Sequence, residues 1–158
     1  MRRFCEVILS ARSKRSLGSI EAKQMPPKKI WIAREKGFHT DTIGRHREGQ
    51  FMGFVVGAVR DPLSEASGLT WYAVLHLFTE EGRHIRMQHA SGEIPAMERR
   101  LREMLSELHS VTYGDVMIER FRVVIDGYTF GLVSRESELE LLPNRLVFGA
   151  PWDGFYST

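Results

Sequence analysis

Cysteine is almost missing from this chain. Cys5 stands alone among 158 residues, so no internal disulfide can staple the fold, and a cytoplasmic setting is expected. Long apolar runs are missing as well. No stretch approaches the roughly 20 residues that a membrane-spanning helix needs, so no membrane partner is expected. The glycines form neither Gly-x-x-x-x-Gly-Lys nor Gly-x-Gly-x-x-Gly, which removes the common phosphate cradles. No serine stands in a Gly-x-Ser-x-Gly elbow. Met1–Ser10 has the outline of a signal peptide, but Glu6 breaks the apolar stretch. Arg12, Lys14 and Arg15 then stand where small residues would mark cleavage, and that reading is rejected.

What is present is ordinary globular composition, 42% hydrophobic and 27% charged, at a length that suits one domain with a real core. The charge is unevenly placed. Residues 1–29 carry a net +6, whereas residues 30–158 carry a net −4. Ser10–Lys29 is polar, basic and aperiodic and ends at Pro26-Pro27. Residues 1–29 are therefore read as a disordered basic leader, or an extension from an upstream start, and residues 30–158 as a single domain. The folded body shows no basic stripe with interleaved aromatics, so nucleic-acid contact is expected only through residues 1–29.

Two β-hairpins bracket one amphipathic helix. In the first, Leu69–Thr79 alternates and turns at Glu80-Glu81-Gly82 into Arg83–Ala90. A three-residue loop pairs Leu77 with Ile85 and Leu75 with Met87, and Gly82 supplies the left-handed residue of a bulged turn. The second hairpin runs Val116–Ile125, turns at Asp126-Gly127, and returns over Tyr128–Val133. Asp-Gly favours a two-residue type I′ turn, which pairs Ile125 with Tyr128, Val123 with Phe130 and Phe121 with Leu132. Val116 and Ile118 are out of phase with that set, which predicts a bulge near Glu119-Arg120. Between the hairpins, Pro95 suits a helix start. Ile94, Met97, Leu101, Met104, Leu105 and Leu108 then form one apolar stripe, so a helix over about 95–109 should lie on a sheet. Lys29–Arg34 reads as a first strand, Gly37–Gln50 as a polar loop, and Phe51–Val59 as an interior strand covered on both faces. Asp61–Gly68 reads as a connection, Glu136–Glu140 as an acidic loop, and Arg145–Phe148 as a last strand. The fold class is α+β: an antiparallel sheet of five to seven strands built from hairpins, with the helix on one face.

Few residues carry recognisable chemistry. His76, His84 and His89 suggest a metal, but the register above sets His76 and His84 diagonally on one face, Arg86 across from His76, and His89 on the other face. Three ligands then cannot converge, and neither a metal nor a cofactor is expected. Asp115, Glu119 and Asp153 are candidate acids and His39, His46 and His109 candidate bases, yet no spacing sets an acid beside a base. Cys5 lies in the leader and makes a poor nucleophile. The densest charged stretch is Asp41–Gln50, where Asp41, Arg45, His46, Arg47 and Gln50 are candidate binding residues. A guanidinium there could hold a carboxylate or phosphate in its planar fork. The tail offers Trp152, Asp153 and Tyr156, either packed back on the sheet or exposed as a recognition surface.

Several stretches together resemble a family: Thr40–Phe51, Tyr72–Phe78 with Glu81–His84, Tyr113–Val116 with Phe121-Arg122, Gly131–Val133 and Pro151–Gly154. They are similar to small bacterial proteins labelled formate hydrogenlyase regulatory protein, over roughly residues 30–158. The resemblance implies a regulatory role and supplies no catalytic set. The chain is accordingly expected to be a small non-catalytic binding or regulatory protein acting on a protein or small ligand. Two alternatives stay open: a hydrolase-like enzyme whose pocket is assembled from residues distant in sequence, and nucleic-acid contact through the leader. Pairing of two copies through a sheet edge or uncovered face is a further expectation.

Overall fold

The computed structural model describes residues 24–59, 68–152 and 154–156. Most of the leader, with Cys5, most of the 61–68 connection, and Asp153 lie outside the described residues. In chain order the strands are β1 (Lys29–Ile32), β2 (Ile43–His46), β3 (Gly49–Ala58), β4 (Thr70–Phe78) and β5 (His84–Gly92). Helix α1 (Ile94–Ser106) follows, and then β6 (Thr112-Tyr113), β7 (Val116–Glu119), β8 (Phe121–Ile125), β9 (Tyr128–Arg135), β10 (Glu138–Leu142), β11 (Leu146–Phe148) and β12 (Phe155-Tyr156). The fold is α+β, with strands paired mostly antiparallel and the helix on one sheet face. A five-stranded sheet has the order β5-β4-β3-β2-β6, a four-stranded sheet β11-β10-β9-β8, and a three-stranded sheet β12-β1-β7. Within the last, β1 and β12 run parallel.

The five-stranded sheet has two buried faces because the alternate residues of β3 and β4 are apolar on both sides. Phe51, Ala73, Leu75 and Leu77 meet Met97, Leu101, Met104 and Leu105 of the helix. Met52, Phe54, Tyr72 and Phe78 enter the main core with Ile32, Ile118, Phe130 and Leu139 from the other two sheets. Each fully buried large side chain contributes about 1.5–3 kcal/mol, and this double burial is what fixes the register of β3 against β4. Among the described residues no helix is long and apolar enough to cross a membrane.

The second hairpin pairs as its turn dictates: Ile125 with Tyr128, Val123 with Phe130, Phe121 with Leu132. Asp126 takes the left-handed backbone of that turn and accepts a hydrogen bond from the Tyr72 hydroxyl at 2.9 Å. The phase break upstream is a change of sheet instead of a bulge. β7 pairs with β1, and Arg120, whose N–H donates to the Lys28 carbonyl, passes the chain to β8 in the four-stranded sheet.

The first hairpin departs from its sequence register. Phe78 pairs with His84 as a three-residue loop requires, but Ile85 is then an extra residue, so Leu77 meets Arg86 and His76 meets Met87. The bulge brings Met87 against the main core and Ala90 against the helix-side cluster. Ile85 is left 56% exposed. The expected register assumed that β5 is buried where it faces Leu77; β5 is the outer strand, and Arg86 there is exposed. Gly82 does sit in left-handed backbone at φ 94°, and a side chain there would strike the Met117 carbonyl. Strands replace parts of two expected loops: within Gly37–Gln50, Ile43–His46 pairs with β3 across an Arg47-Glu48 turn, and Glu138–Leu142, which overlaps Glu136–Glu140, pairs with β9. The helix ends at Ser106, short of His109, whose carbonyl accepts the Arg47 N–H at 2.8 Å.

Candidate functional site

The residues singled out in Asp41–Gln50 do not form one site. Gln50 is 0% exposed and is a strut. Its Nε2 donates to the carbonyls of Met117 (2.8 Å), Thr79 and Glu80 (3.2 Å each), while its Oε1 accepts the Met117 N–H at 2.8 Å. One side chain thus ties β3 to the β4–β5 turn and to β7. Asp41 is likewise engaged: Oδ1 accepts from Arg34 at 2.8 Å and Oδ2 from the Gly37 N–H at 3.2 Å, which builds the turn after β1. Arg34 also lies over the Tyr113 ring at 5.1 Å. His46 packs edge-on to Phe51, with its pKa lowered by burial and Glu48 acting weakly the other way. Arg45 and Arg47 remain exposed around a two-residue turn.

The tail packs. Trp152 and Tyr156 are partly buried against the main core, their rings 5.6 Å apart, and the Tyr156 hydroxyl donates to the Pro151 carbonyl at 2.7 Å. Trp152 and Tyr156 border a small cleft of about 220 Å³, whereas Asp41 borders a different one of about 570 Å³ beside Leu101 and Arg102 of α1. Loop and tail thus border separate clefts.

The histidines form an internal cluster. His76 is 2% exposed, and its Nδ1 shares a 3.1 Å hydrogen bond with His84 Nε2. The His84 ring stacks on Phe121 at 4.2 Å, and Phe78 closes the cluster edge-on. Burial drives the His76 pKa down to about 3, with His84 adding a smaller push, and burial also lowers His84. Burial disfavours the charged form of both rings, and in a neutral pair one ring nitrogen donates while the other accepts. The bulge at Ile85 places His89 opposite Val74, on the same face as His76 and not on the other one. His89 is exposed there, and among the described residues no three His, Cys, Asp or Glu side chains stand close enough to hold a metal.

A grouping that the sequence reading passed over lies on the outer face of the four-stranded sheet. Arg122 of β8, Arg135 at the end of β9 and Arg145 of the β10–β11 turn border one cleft of about 610 Å³, with Thr129, Val133 and Leu142. Glu140 sits in the same cleft, 7% exposed, and accepts from Arg135 at 3.3 Å. Arg122 and Arg145 have no ion pair among the described residues. Three arginines and, among the described residues, one carboxylate thus border the same cleft. Part of this was readable: the Asp126-Gly127 register alone sets Arg122 and Arg135 outward on one face. Glu140 closes the stretch Glu136–Glu140 that reads as a loop, and Arg145 opens a stretch that reads as a separate short strand, so only the pairing of β10 with β9 and β11 sets them beside Arg135. A second cleft of about 440 Å³, bordered by Val59, Tyr128 and Pro143, shares Thr129, Leu142 and Arg145 with the first. Comparison of the chain with protein-family models, curated proteins and solved structures gave no match.

Proposed function

We propose that this protein is a small non-catalytic binding or regulatory module of the cytoplasm, and that it takes an organic anion in the Arg122–Arg135–Arg145 cleft. The observation that carries the reading is that three arginines from separate segments border one concavity, against a single carboxylate among the described residues. Bringing like charges together raises the potential of a cleft and draws counter-ions into it, and arginine forks match carboxylate and phosphate oxygens. Glu140 holds Arg135 at the cleft wall, which leaves Arg122 and Arg145 to supply the attraction. The resemblance of the strand and turn segments to formate hydrogenlyase regulatory proteins supports a binding role, with ligand occupancy as the regulated event.

Thermal unfolding tests this. Millimolar inorganic phosphate, compared with chloride at equal ionic strength, should raise the Tm of the full-length protein, since a ligand that binds only the folded state stabilises it by mass action. The Arg122→Ala/Arg145→Ala double variant should lose that rise. Both side chains are exposed, so their removal should leave the Tm in chloride within about 1–2 °C of wild type, as a surface change of about 0.5 kcal/mol implies. An equal phosphate-dependent rise in wild type and double variant would count against the cleft.

A further inference from the structure

We infer that the ligand is a phosphate monoester with a flat apolar body, a refinement that rests on the anion reading above. The charge balance selects the head group. Arg135 is engaged with Glu140 at 3.3 Å, so Arg122 and Arg145 present two uncompensated positive charges. A phosphate monoester carries about −1.5 to −2 at pH 7 and offers three acceptor oxygens in a tetrahedral array. It can therefore accept from two guanidiniums approaching from different sides. A monocarboxylate carries half that charge and is filled by one bidentate arginine. Thr129 borders the same cleft, and a hydroxyl is a neutral donor.

The body follows from the second cleft. It adjoins the first through Thr129, Leu142 and Arg145, and beyond them its wall changes character to Ala58, Val59, Tyr128 and Pro143. Among the described residues neither a second arginine nor an acid borders it past Arg145. A ligand whose phosphate lies between Arg122 and Arg145 would thus extend its remainder past the apolar and aromatic side chains of Val59, Tyr128 and Pro143. The two volumes, about 610 and 440 Å³, lie in the range of small-molecule sites. The side chains of Ala58, Val59, Leu142 and Pro143 and the ring of Tyr128 offer an aromatic ring apolar contact there.

The test uses full-length protein and isothermal titration with phenyl phosphate, inorganic phosphate and benzoate. Phenyl phosphate should bind at least about tenfold more tightly than inorganic phosphate, because the ring buries apolar area against Val59 and Pro143. It should also bind at least about tenfold more tightly than benzoate, which lacks the second charge. Val59→Gln, at an exposed edge of the second lobe, should shrink the advantage of phenyl phosphate over inorganic phosphate while leaving inorganic phosphate unchanged. Arg122→Ala should weaken both phosphates together. Equal affinity for phenyl phosphate and inorganic phosphate, both lost in Arg122→Ala, overturns the apolar body while the anion cleft stands. Benzoate binding as well as phenyl phosphate overturns the phosphate head. Binding of none of the three overturns this inference together with the anion reading.

Discussion

Gln50→Leu should lower stability by at least about 3 kcal/mol, read as a shift of the urea midpoint with an unchanged slope. The leucine fills the same space but leaves the Met117 N–H and the carbonyls of Glu80 and Met117 without this partner, while the Thr79 carbonyl keeps the Gly82 N–H. Each buried group left unsatisfied costs about 1–3 kcal/mol, and whole domains hold only about 5–15. Gln50→Glu separates the hydrogen bonds from the packing. Near neutral pH its carboxylate would face three carbonyl oxygens and should destabilise more than leucine does. Acidification should narrow that gap, because a protonated carboxyl can donate again to one of the carbonyls. A midpoint for Gln50→Leu within error of wild type would show that the side chain is not the strut between β3, the β4–β5 turn and β7.

The second large effect is a loss of stability in mild acid. The folded protein keeps His76 neutral, with a pKa of about 3 against an ordinary 6.5, and His84 is lowered too. The unfolded chain binds a proton on His76 as pH falls through about 6.5, and the folded chain does not. The stabilisation is therefore complete above that pH and declines between about 6.5 and 3. By pH 5 His76 alone should remove about 2 kcal/mol, with His84 acting in the same direction. Carboxylates also titrate in acid, so the comparison is with His76→Phe, which keeps an aromatic ring beside Phe78 and Phe121. Its loss of stability from pH 7 to pH 5 should be smaller than that of wild type by about 2 kcal/mol. Identical pH slopes for the two proteins would mean that His76 titrates normally.

Much of the scaffold was legible because period and turn chemistry are local. Asp126-Gly127 sets every pair of the β8–β9 hairpin, and the spacing of Met97, Leu101, Met104 and Leu105 marks the face of α1 that meets the sheet. Misreadings arise where a distant partner decides. Ile43–His46 is four residues long and holds Gly44, a weak strand former. It becomes a strand because β3 and β6 flank it, and a side chain on Gly44 would collide with the Thr112 carbonyl. The bulge at Ile85 follows from what Met87 and Ala90 pack against, which alternation within one hairpin does not contain. Function was less legible for the same reason. Gln50 looks like a surface residue at the end of a charged stretch, and its partners lie 29 to 67 positions away. Arg122, Arg135 and Arg145 are ordinary strand and turn residues until β9, β10 and β11 align them.

That alignment is the central claim, and amide NMR of the full-length protein titrated with inorganic phosphate tests it most directly. The account predicts saturable shifts confined to Arg122, residues 129–135 and residues 140–145, with residues 41–50 and 152–156 unmoved. Shifts gathered instead around Arg45 and Arg47, or along the tail at Trp152 and Tyr156, would contradict it.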